Sequence, residues 1–538
     1  SGDGGSLDIE TGSLSLTNSL VGAGTDGTGN AGSVQIKAAN SITLEDSGLV
    51  VSTESSGDGG SLTIDTGSLN LTNSLVGATT IGTGNAGDIQ IKAANSITLE
   101  DESFLSVATL GEEIGSGDAG SLAIETGSLS LTNSSAIGAS TLGSGSAGKI
   151  TITASEYIKI VGADTGIFSA SGSENFPNAT GNAGTITIGK NPSVPAPTLT
   201  LTEGGEISTA SWGAGVSGEI DINIKNLEIN QGGKIDSSSQ GSGSAGKITI
   251  TASEYLKIFG EGSGIFSTSR ATGNAGTITI GGETLPVPTL TVTENGQIST
   301  STFGAGEGGE IDININNLEI TQGGKIDSSS SGTGSAGKIA ITASQYLQIV
   351  GNNSGIFSTT SNTGNAGQIN ILAGGTPFDG VEIIPGSLFS ASAELLPHDQ
   401  GGIAIENGGK ISTSTTGQGD GGTITITSSK LRLNNASITA DNEVADFNQA
   451  GNIIIGAHQL DMSDSRISTS STNADGGNIL IGVRELNNKR ITDSEIAATA
   501  GETGIGGNLE ISGPNYLILD STNLRADADK GGNLTVDA

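Results

Sequence analysis

The sequence predicts an all-β fold, a parallel β-solenoid with three short strands in each coil. Alternating apolar and polar residues recur through the 538 residues, and a period of two is that of strands. A Gly-Gly or Ala-Gly pair precedes these segments at intervals of about 29 residues. The amino-acid sequences of these segments also recur along the chain. We therefore expect about 18 coils of about 29 residues and no helix.

The second glycine of each pair marks the start of a coil, and Gly402 is among these marks. Residues 2–56 return as 57–111, an offset of 55 residues that holds two coils. A repeat of about 92 residues, carried by SAGKITITASEYIKIVG and its variants, holds three coils. Because both long repeats are multiples of one unit, that unit is predicted to be one turn of a solenoid.

The three strands of a coil are visible in the first unit. They carry Leu7 and Ile9, then Leu14 and Leu16, then Leu20, so that apolar residues two apart share one face. Equivalent residues of a solenoid stack from coil to coil and bury an aliphatic ladder. This ladder is expected to contain Leu7, Val34, Leu62 and Ile89. A structural asparagine ladder, expected to point inward at a corner and bond backbone groups, contains Asn18, Asn73 and Asn133.

The repeats divide the chain into four stretches of one continuous rod. These are two-coil repeats in 1–145, three-coil repeats in 146–373, a long loop insertion in 374–400 and degenerate coils in 401–538. Insertions are expected after the third strand, on a side where surface loops often bind partners. The most variable loops are 190–198, 281–288 and 374–400. The phenylalanines expected to fill the core in GIFS are Phe168, Phe266 and Phe357.

The composition excludes several classes of function. The 56 acidic and 21 basic residues leave a net charge of −35, which disfavours nucleic acid and anionic membranes as partners. The absence of cysteine excludes disulfides and thiolate metal sites. No apolar run approaches the ~20 residues of a membrane helix, so we expect no membrane insertion.

The amino-acid sequences of the repeats resemble those of a known family. SLTIDTGSLNLTN, GTGNAGDIQIKAANSITLED and GNAGTITIG are similar to the repeat region of filamentous-haemagglutinin-type exoproteins, especially the large cyanobacterial members. The resemblance covers essentially the whole chain. It implies a right-handed β-helix, two-partner secretion through a Gram-negative-type outer membrane, and an extracellular or cell-surface fibre or adhesin. The family offers no catalytic motif.

No catalytic constellation can be assembled from the sequence, and we expect neither catalytic residues nor a cofactor. His398 and His458 stand apart, and no nucleophile or metalloprotease motif accompanies them. Outward carboxylates leave Ca²⁺ as an alternative, because Ca²⁺ takes oxygen ligands from flexible loops. The other interpretation is a solvated acidic face. The candidate Ca²⁺ ligands are Asp3, Asp58, Asp118, Glu219, Asp221, Glu310 and Asp312.

The sequence thus predicts a secreted structural solenoid that builds an extracellular fibre or filament and has an adhesive role in attachment to a cell surface or matrix. Expected partners are further copies, end to end or laterally, because neither end of the sequence resembles a cap. Surface glycans are a further expected partner. One alternative is a glycan-binding adhesin acting through the side loops. A second is a polysaccharide-active β-helix enzyme, although no cluster of Arg, Lys and Asp in one cleft can be recognised.

Overall fold

The chain divides into two compact units, Ser1–Thr279 and Ile280–Ala538, each built as a parallel β-solenoid. The described residues form about 16 turns of about 29 residues, close to the expected 18 and consistent with a right-handed β-helix. They contain no helix, and so none long and apolar enough to cross a membrane. The computed structural model describes residues 2–110, 117–173, 175–189, 197–282, 285–374, 401–443, 448–501, 504–513, 517–528 and 530–537, without the side chains of 484–490.

Each regular turn has one long and one short strand. In the first unit the long strands, two of them halves of one interrupted strand, are Leu7–Thr17, Val34–Glu45, Leu62–Thr72, Ile89–Glu100, Ser121–Thr132, Lys149–Val161, Thr185–Ile188, Thr198–Thr202, Glu219–Asn230 and Lys247–Phe259. The short strands are Leu20–Gly22, Gly48–Thr53, Leu75–Thr80, Phe104–Ser106, Ala136–Gly138, Gly166–Phe168, Glu206–Ser208, Lys234–Asp236 and Gly264–Phe266. Strand Thr277–Ile280 ends on the first residue of the second unit.

The second unit repeats this arrangement. Its long strands and their parts are Val287–Thr293, Glu310–Thr321, Lys338–Val350, Gln368–Ala373, Gly402–Glu406, Thr423–Asn434, Asn452–Ser463, Ile479–Thr492, Leu509–Ser512, Ile518–Asp520 and Leu534–Asp537. Its short strands are Gln297–Ser299, Lys325–Asp327, Gly355–Phe357, Lys410–Ser412, Ser437–Thr439, Arg466–Ser468, Glu495–Ala497 and Asn523–Arg525.

The long strand unites the first two strands expected in each coil. The pairing register shifts between Thr11 and Ser13, and an equivalent shift separates Ile224 from Asn226. Such a β-bulge bends the strand while the ladder continues on both sides of it. A corner of the coil therefore lies inside the long strand.

The core is a set of aliphatic ladders with parallel register. Leu7 pairs with Val34, Val34 with Leu62, and Leu62 with Ile89. The last three of these side chains are at most 1% exposed. Burying one such side chain contributes about 1.5–3 kcal/mol, so repeated ladders stabilise a chain that has few aromatic residues.

The coil-marking glycines stack on one another so closely that no side chain fits between them. A Cβ atom at Gly60 would lie 1.7 Å from the carbonyl oxygen of Gly32, and one at Gly87 would lie 1.7 Å from that of Gly60. Glycine is required at these positions because the backbones of neighbouring coils approach each other closely. The prediction that Gly402 starts a coil is wrong. Gly422 stacks directly on Gly367, so no coil begins at Gly402 between them.

Several long insertions occupy the bulge corner of the long strand, which corrects the position expected for them after the third strand. One separates Thr185–Ile188 from Thr198–Thr202, and another separates Gln368–Ala373 from Gly402–Glu406. A chain can leave the ladder at a bulge because pairing is already interrupted there. The long segment between Gly166–Phe168 and Thr185–Ile188 does follow the third strand, as expected. The inserted residues 190–196 and 375–400, and with them His398, lie outside the described residues.

Candidate functional site

The short strands of the second unit present a continuous outer face. In every short strand of this unit except Asn523–Arg525, the middle residue is an inward isoleucine that is fully buried, as at Ile298, Ile326 and Ile356. The flanking residues therefore point outward, since side chains alternate along a strand. Residues at equivalent positions pair in register, so that Ser299 lies beside Asp327 and Asp327 beside Phe357.

Beyond the short strands the inward positions change from aliphatic residues to small hydroxyl residues. Thr300 Oγ1 donates to Ser328 Oγ at 3.0 Å, and Ser328 Oγ donates to the Gly309 carbonyl at 2.7 Å. Thr360 Oγ1 donates to Thr415 Oγ1 at 3.0 Å. These bonds satisfy buried hydroxyls that would otherwise destabilise the core.

The outer surface over this region is concave. Ser299, Ser301 and Ser412 are only 6%, 7% and 1% exposed although they occupy outward positions. They line a groove of about 460 Å³ whose walls come from residues between Gln297 and Glu443. The groove thus lies wholly within the second unit.

Hydroxyl groups dominate the floor of the groove and contact one another along it. Ser299 Oγ donates to Ser301 Oγ at 3.0 Å, and Ser412 Oγ donates to Ser414 Oγ at 3.2 Å. Each hydroxyl can both donate and accept hydrogen bonds. The floor can therefore adapt to ligand groups that are donors, acceptors or both.

One carboxyl group and one aromatic ring interrupt the hydroxyl floor. Asp327 is half-buried, its Oδ1 accepts the Ser329 N–H at 2.9 Å, and burial raises the pKa of its carboxyl. The ring of Phe357 packs over Gly355, where a Cβ atom would lie 2.6 Å from the ring Cζ. The glycine of the GIF sequence therefore makes room for the ring on the outer face.

The repeat places similar residues in the first unit, 91 positions earlier. Ser208, Asp236 and Phe266 correspond to Ser299, Asp327 and Phe357. Several positions differ between the units. Glu206 stands against Gln297, Trp212 against Phe303 and Arg270 against Ser361. The first unit also has Ala210 where the groove floor has Ser301.

The first unit holds two carboxyl groups at this place. Burial, reinforced by the charge of Asp236, raises the pKa of Glu206 to about 7, against smaller opposing effects of Lys234 and Ser208. Burial also raises the pKa of Asp236, whose Oδ1 accepts the Ser238 N–H at 2.7 Å. At neutral pH the pair therefore carries less negative charge than two exposed carboxylates.

Glu206→Gln is expected to flatten the pH dependence of stability. The folded protein keeps the Glu206 proton up to about pH 7, whereas the unfolded chain loses it near 4.5. Between these values the folded state binds more protons, so stability falls as pH rises. Glutamine carries no such proton, and the variant should be more stable than the unchanged protein above this window by about 2 kcal/mol. Gln297 already fills the equivalent position.

The free energy of unfolding in urea is measured at pH values below 4.5 and above 7. Glu261→Gln, at an exposed position in the same unit, is the matched control. Its stability should depend on pH as steeply as that of the unchanged protein. Equal slopes for Glu206→Gln and Glu261→Gln would contradict the assignment.

The turn aspartates belong to a ladder of polar side chains between coils. Asp3 Oδ1 accepts the Asn30 N–H, Asn30 Oδ1 accepts the Asp58 N–H, and Asp58 Oδ1 accepts the Asn85 N–H, each at 2.9 Å. Asp118 Oδ1 accepts a backbone N–H in the same way at 2.7 Å. These bonds give the aspartates a role without a metal ion, and Ca²⁺ binding there stays a prediction.

The remaining carboxylate candidates lie on the outer face of the long strands, and none of them lines the groove. Glu219 and Asp221 share one strand, and Glu310 and Asp312 share another. Lys338 Nζ lies 2.9 Å from Glu310 Oε1. Among the residues that the structure describes, no group of three or more His, Asp or Glu side chains is placed to hold a metal ion.

The asparagines of LTNS are exposed, which corrects the inward orientation expected from the sequence. Asn18, Asn73 and Asn133 have positive φ angles of 49°, 44° and 53°, a conformation that asparagine tolerates better than most residues. Asn73 Nδ2 donates to Asp46 Oδ1 at 2.7 Å, and Asn133 Nδ2 donates to Asp101 Oδ1 at 2.8 Å. They therefore stabilise a tight corner from the outside.

The phenylalanines of GIFS also differ from expectation. Phe168, Phe266 and Phe357 are half-exposed, while the isoleucine before each is buried. Glu206 and Asp327 were not predicted from the sequence as site residues. The signal present was the recurrence of KIDSSS and GIFS at one period, which placed an acid and a ring on neighbouring coils.

Fold and groove together define the class, a parallel β-solenoid repeat protein with a hydroxyl-lined outer groove. No protein-family model matches the chain, and neither a curated protein nor a solved structure matches it.

Proposed function

We propose that the protein is a secreted structural β-solenoid that builds an extracellular surface fibre or filament and has an adhesive role in attachment to a cell surface or matrix. The observation that carries the proposal is the coil-to-coil pairing of parallel strands within each unit, with aliphatic ladders inside. Such stacking resists extension because neighbouring coils are joined by many hydrogen bonds at once. The resemblance of the repeats to filamentous-haemagglutinin-type exoproteins supports export through an outer membrane.

The proposal includes association of copies into filaments, end to end or side by side. A net charge of −35 opposes lateral contact at low ionic strength. That net charge already includes the lysines that contact glutamates on the outer face, such as Lys338 with Glu310, so these contacts do not reduce it. Salt or divalent cations are therefore expected to promote bundling.

Electron microscopy of the native material, with immunogold labelling of intact cells, tests the proposal. We expect labelled surface filaments whose bundles loosen in EDTA at low salt and re-form when Ca²⁺ or salt is restored. Isolated single molecules under all of these conditions would contradict the fibre. Bundles indifferent to both salt and EDTA would contradict the role of cations.

The proposed function has no catalytic step. Incubation with acidic polysaccharides should release neither reducing ends nor unsaturated products, and their release would contradict this part of the proposal.

Adhesion through the side loops at 190–198, 281–288 and 374–400 is a second candidate function. Its support is that insertions recur at the bulge corner of the long strand. Glycan-array binding that is lost on deletion of a loop would favour it.

A further inference from the structure

We propose that the groove of the second unit binds an extended, neutral polysaccharide chain whose sugar rings follow the stacking direction of the strands. This inference goes beyond the proposed structural role. It does not depend on filament formation, because a single molecule contains the whole groove.

The length of the groove favours a chain over a compact ligand. Its lining residues come from five successive turns, those of Gln297–Ser299, Lys325–Asp327, Gly355–Phe357, Lys410–Ser412 and Ser437–Thr439, the last of which contributes Glu443. Parallel strands lie about 4.8 Å apart. That spacing is close to the repeat of pyranose rings in an extended glycan, so successive sugars would meet successive turns.

The chemistry of the lining fits sugar hydroxyls. Ser329 Oγ and Thr359 Oγ1 lie 3.0 Å apart, and Ser412 Oγ donates to Ser414 Oγ at 3.2 Å. Serine and threonine hydroxyls can donate to or accept from the same kinds of group on a sugar. Asp327 adds a carboxyl group that can anchor two sugar hydroxyls when ionised, and such charge-assisted bonds are the stronger ones.

The ring of Phe357 supplies an apolar surface beside Asp327 on the neighbouring turn. It packs over Gly355 and remains half-exposed within the groove. The C–H face of a pyranose ring packs well on such an aromatic face. Phe303, which is 57% exposed, provides a second ring at the edge of the groove.

The charge of the groove excludes polyanionic glycans. Lys410 is the one cation among the described lining residues, and it is opposed by Asp327 and Glu443. Sulfated or uronic-acid chains require several fixed cations to offset desolvation of their charges. The net charge of −35 repels them further. A neutral chain meets neither obstacle.

Isothermal titration calorimetry with linear neutral hexasaccharides of glucose, mannose, galactose or xylose tests the inference. A heparin hexasaccharide is the charged comparison. The full chain carries Phe266→Ala, which removes the equivalent ring of the first unit. We expect at least one neutral probe to bind and heparin not to bind.

Two further substitutions in this background locate the site. Phe357→Ala and Asp327→Asn should each weaken binding of the neutral probe by about tenfold. Phe104→Ala is the matched control, because Phe104 is 42% exposed on a short strand of the first unit, and it should leave binding unchanged. Circular dichroism checks that each variant is folded.

Three results would overturn the inference. They are no binding of any neutral probe, binding of heparin alone, or equal affinity in the background protein and both groove variants. None of these results bears on filament formation, which electron microscopy measures separately.

Discussion

Ile160→Asp is expected to unfold the surrounding coils at a much lower urea concentration than the unchanged protein. Ile160 is fully buried and lies in register between Leu131 and Leu201 on the neighbouring coils. An aspartate there would bury an uncompensated carboxyl group among aliphatic side chains. We expect a loss of about 4 kcal/mol or more in the free energy of unfolding.

Lys159→Asp is the matched control for this substitution. Lys159 is the preceding residue of the same strand, and its side chain is exposed. Its replacement should change stability by about 0.5 kcal/mol or less. Far-UV circular dichroism in urea measures both variants, and hydrogen exchange shows whether the loss begins in the coils of 121–202. Similar unfolding of the two variants would contradict the alternation of inward and outward residues on this strand.

Gly60→Ala is expected to be strongly destabilising although it adds only one methyl group. The added Cβ would lie 1.7 Å from the Gly32 carbonyl oxygen, which is backbone and cannot rotate away. The coils would have to separate locally and weaken the inter-coil hydrogen bonds. We expect a cost of about 3 kcal/mol, measured as the shift of the urea unfolding curve.

Gly138→Ala provides the control, since the nearest heavy atom to its added Cβ is the Phe168 carbonyl oxygen at 4.0 Å. That substitution should leave stability unchanged or raise it by up to about 1 kcal/mol, because alanine restricts the unfolded chain. If both variants unfold together, the glycine stack is not what requires glycine at the coil marks.

The fold could be predicted because the sequence patterns that specify it are local and recur in every coil. Leu7 and Ile9 lie two residues apart, which selects a strand, and the recurrence of the pair at Val34 and Ile36 selects the stacking partner. The coil length likewise follows from spacing. Gly402 was misleading because a glycine pair at the end of an insertion looks the same in sequence as a stacking pair.

The candidate groove could not be predicted in the same way. Whether an outward serine such as Ser299 is solvated or forms the floor of a groove depends on how the backbone bends after the short strand. Small inward hydroxyl residues follow the short strand. Thr300 donates to the Ser328 hydroxyl of the next coil, and Ser328 donates to the Gly309 carbonyl, which is distant in sequence. Phe357 is an apolar residue of the kind expected in a core. Its contact with Gly355 shows that it lies on the outer face of the short strand.

The all-β class, the coil of about 29 residues and the inward aliphatic ladders follow from the order of residues, because periodicity is a property of the chain alone. That Asp327 and Phe357 line one groove, and that Glu206 holds a proton to about pH 7, became apparent only from the folded coils. Those properties arise from burial and from neighbours on other coils. The physical reason is that concavity and desolvation exist only once separate turns of the chain are stacked together.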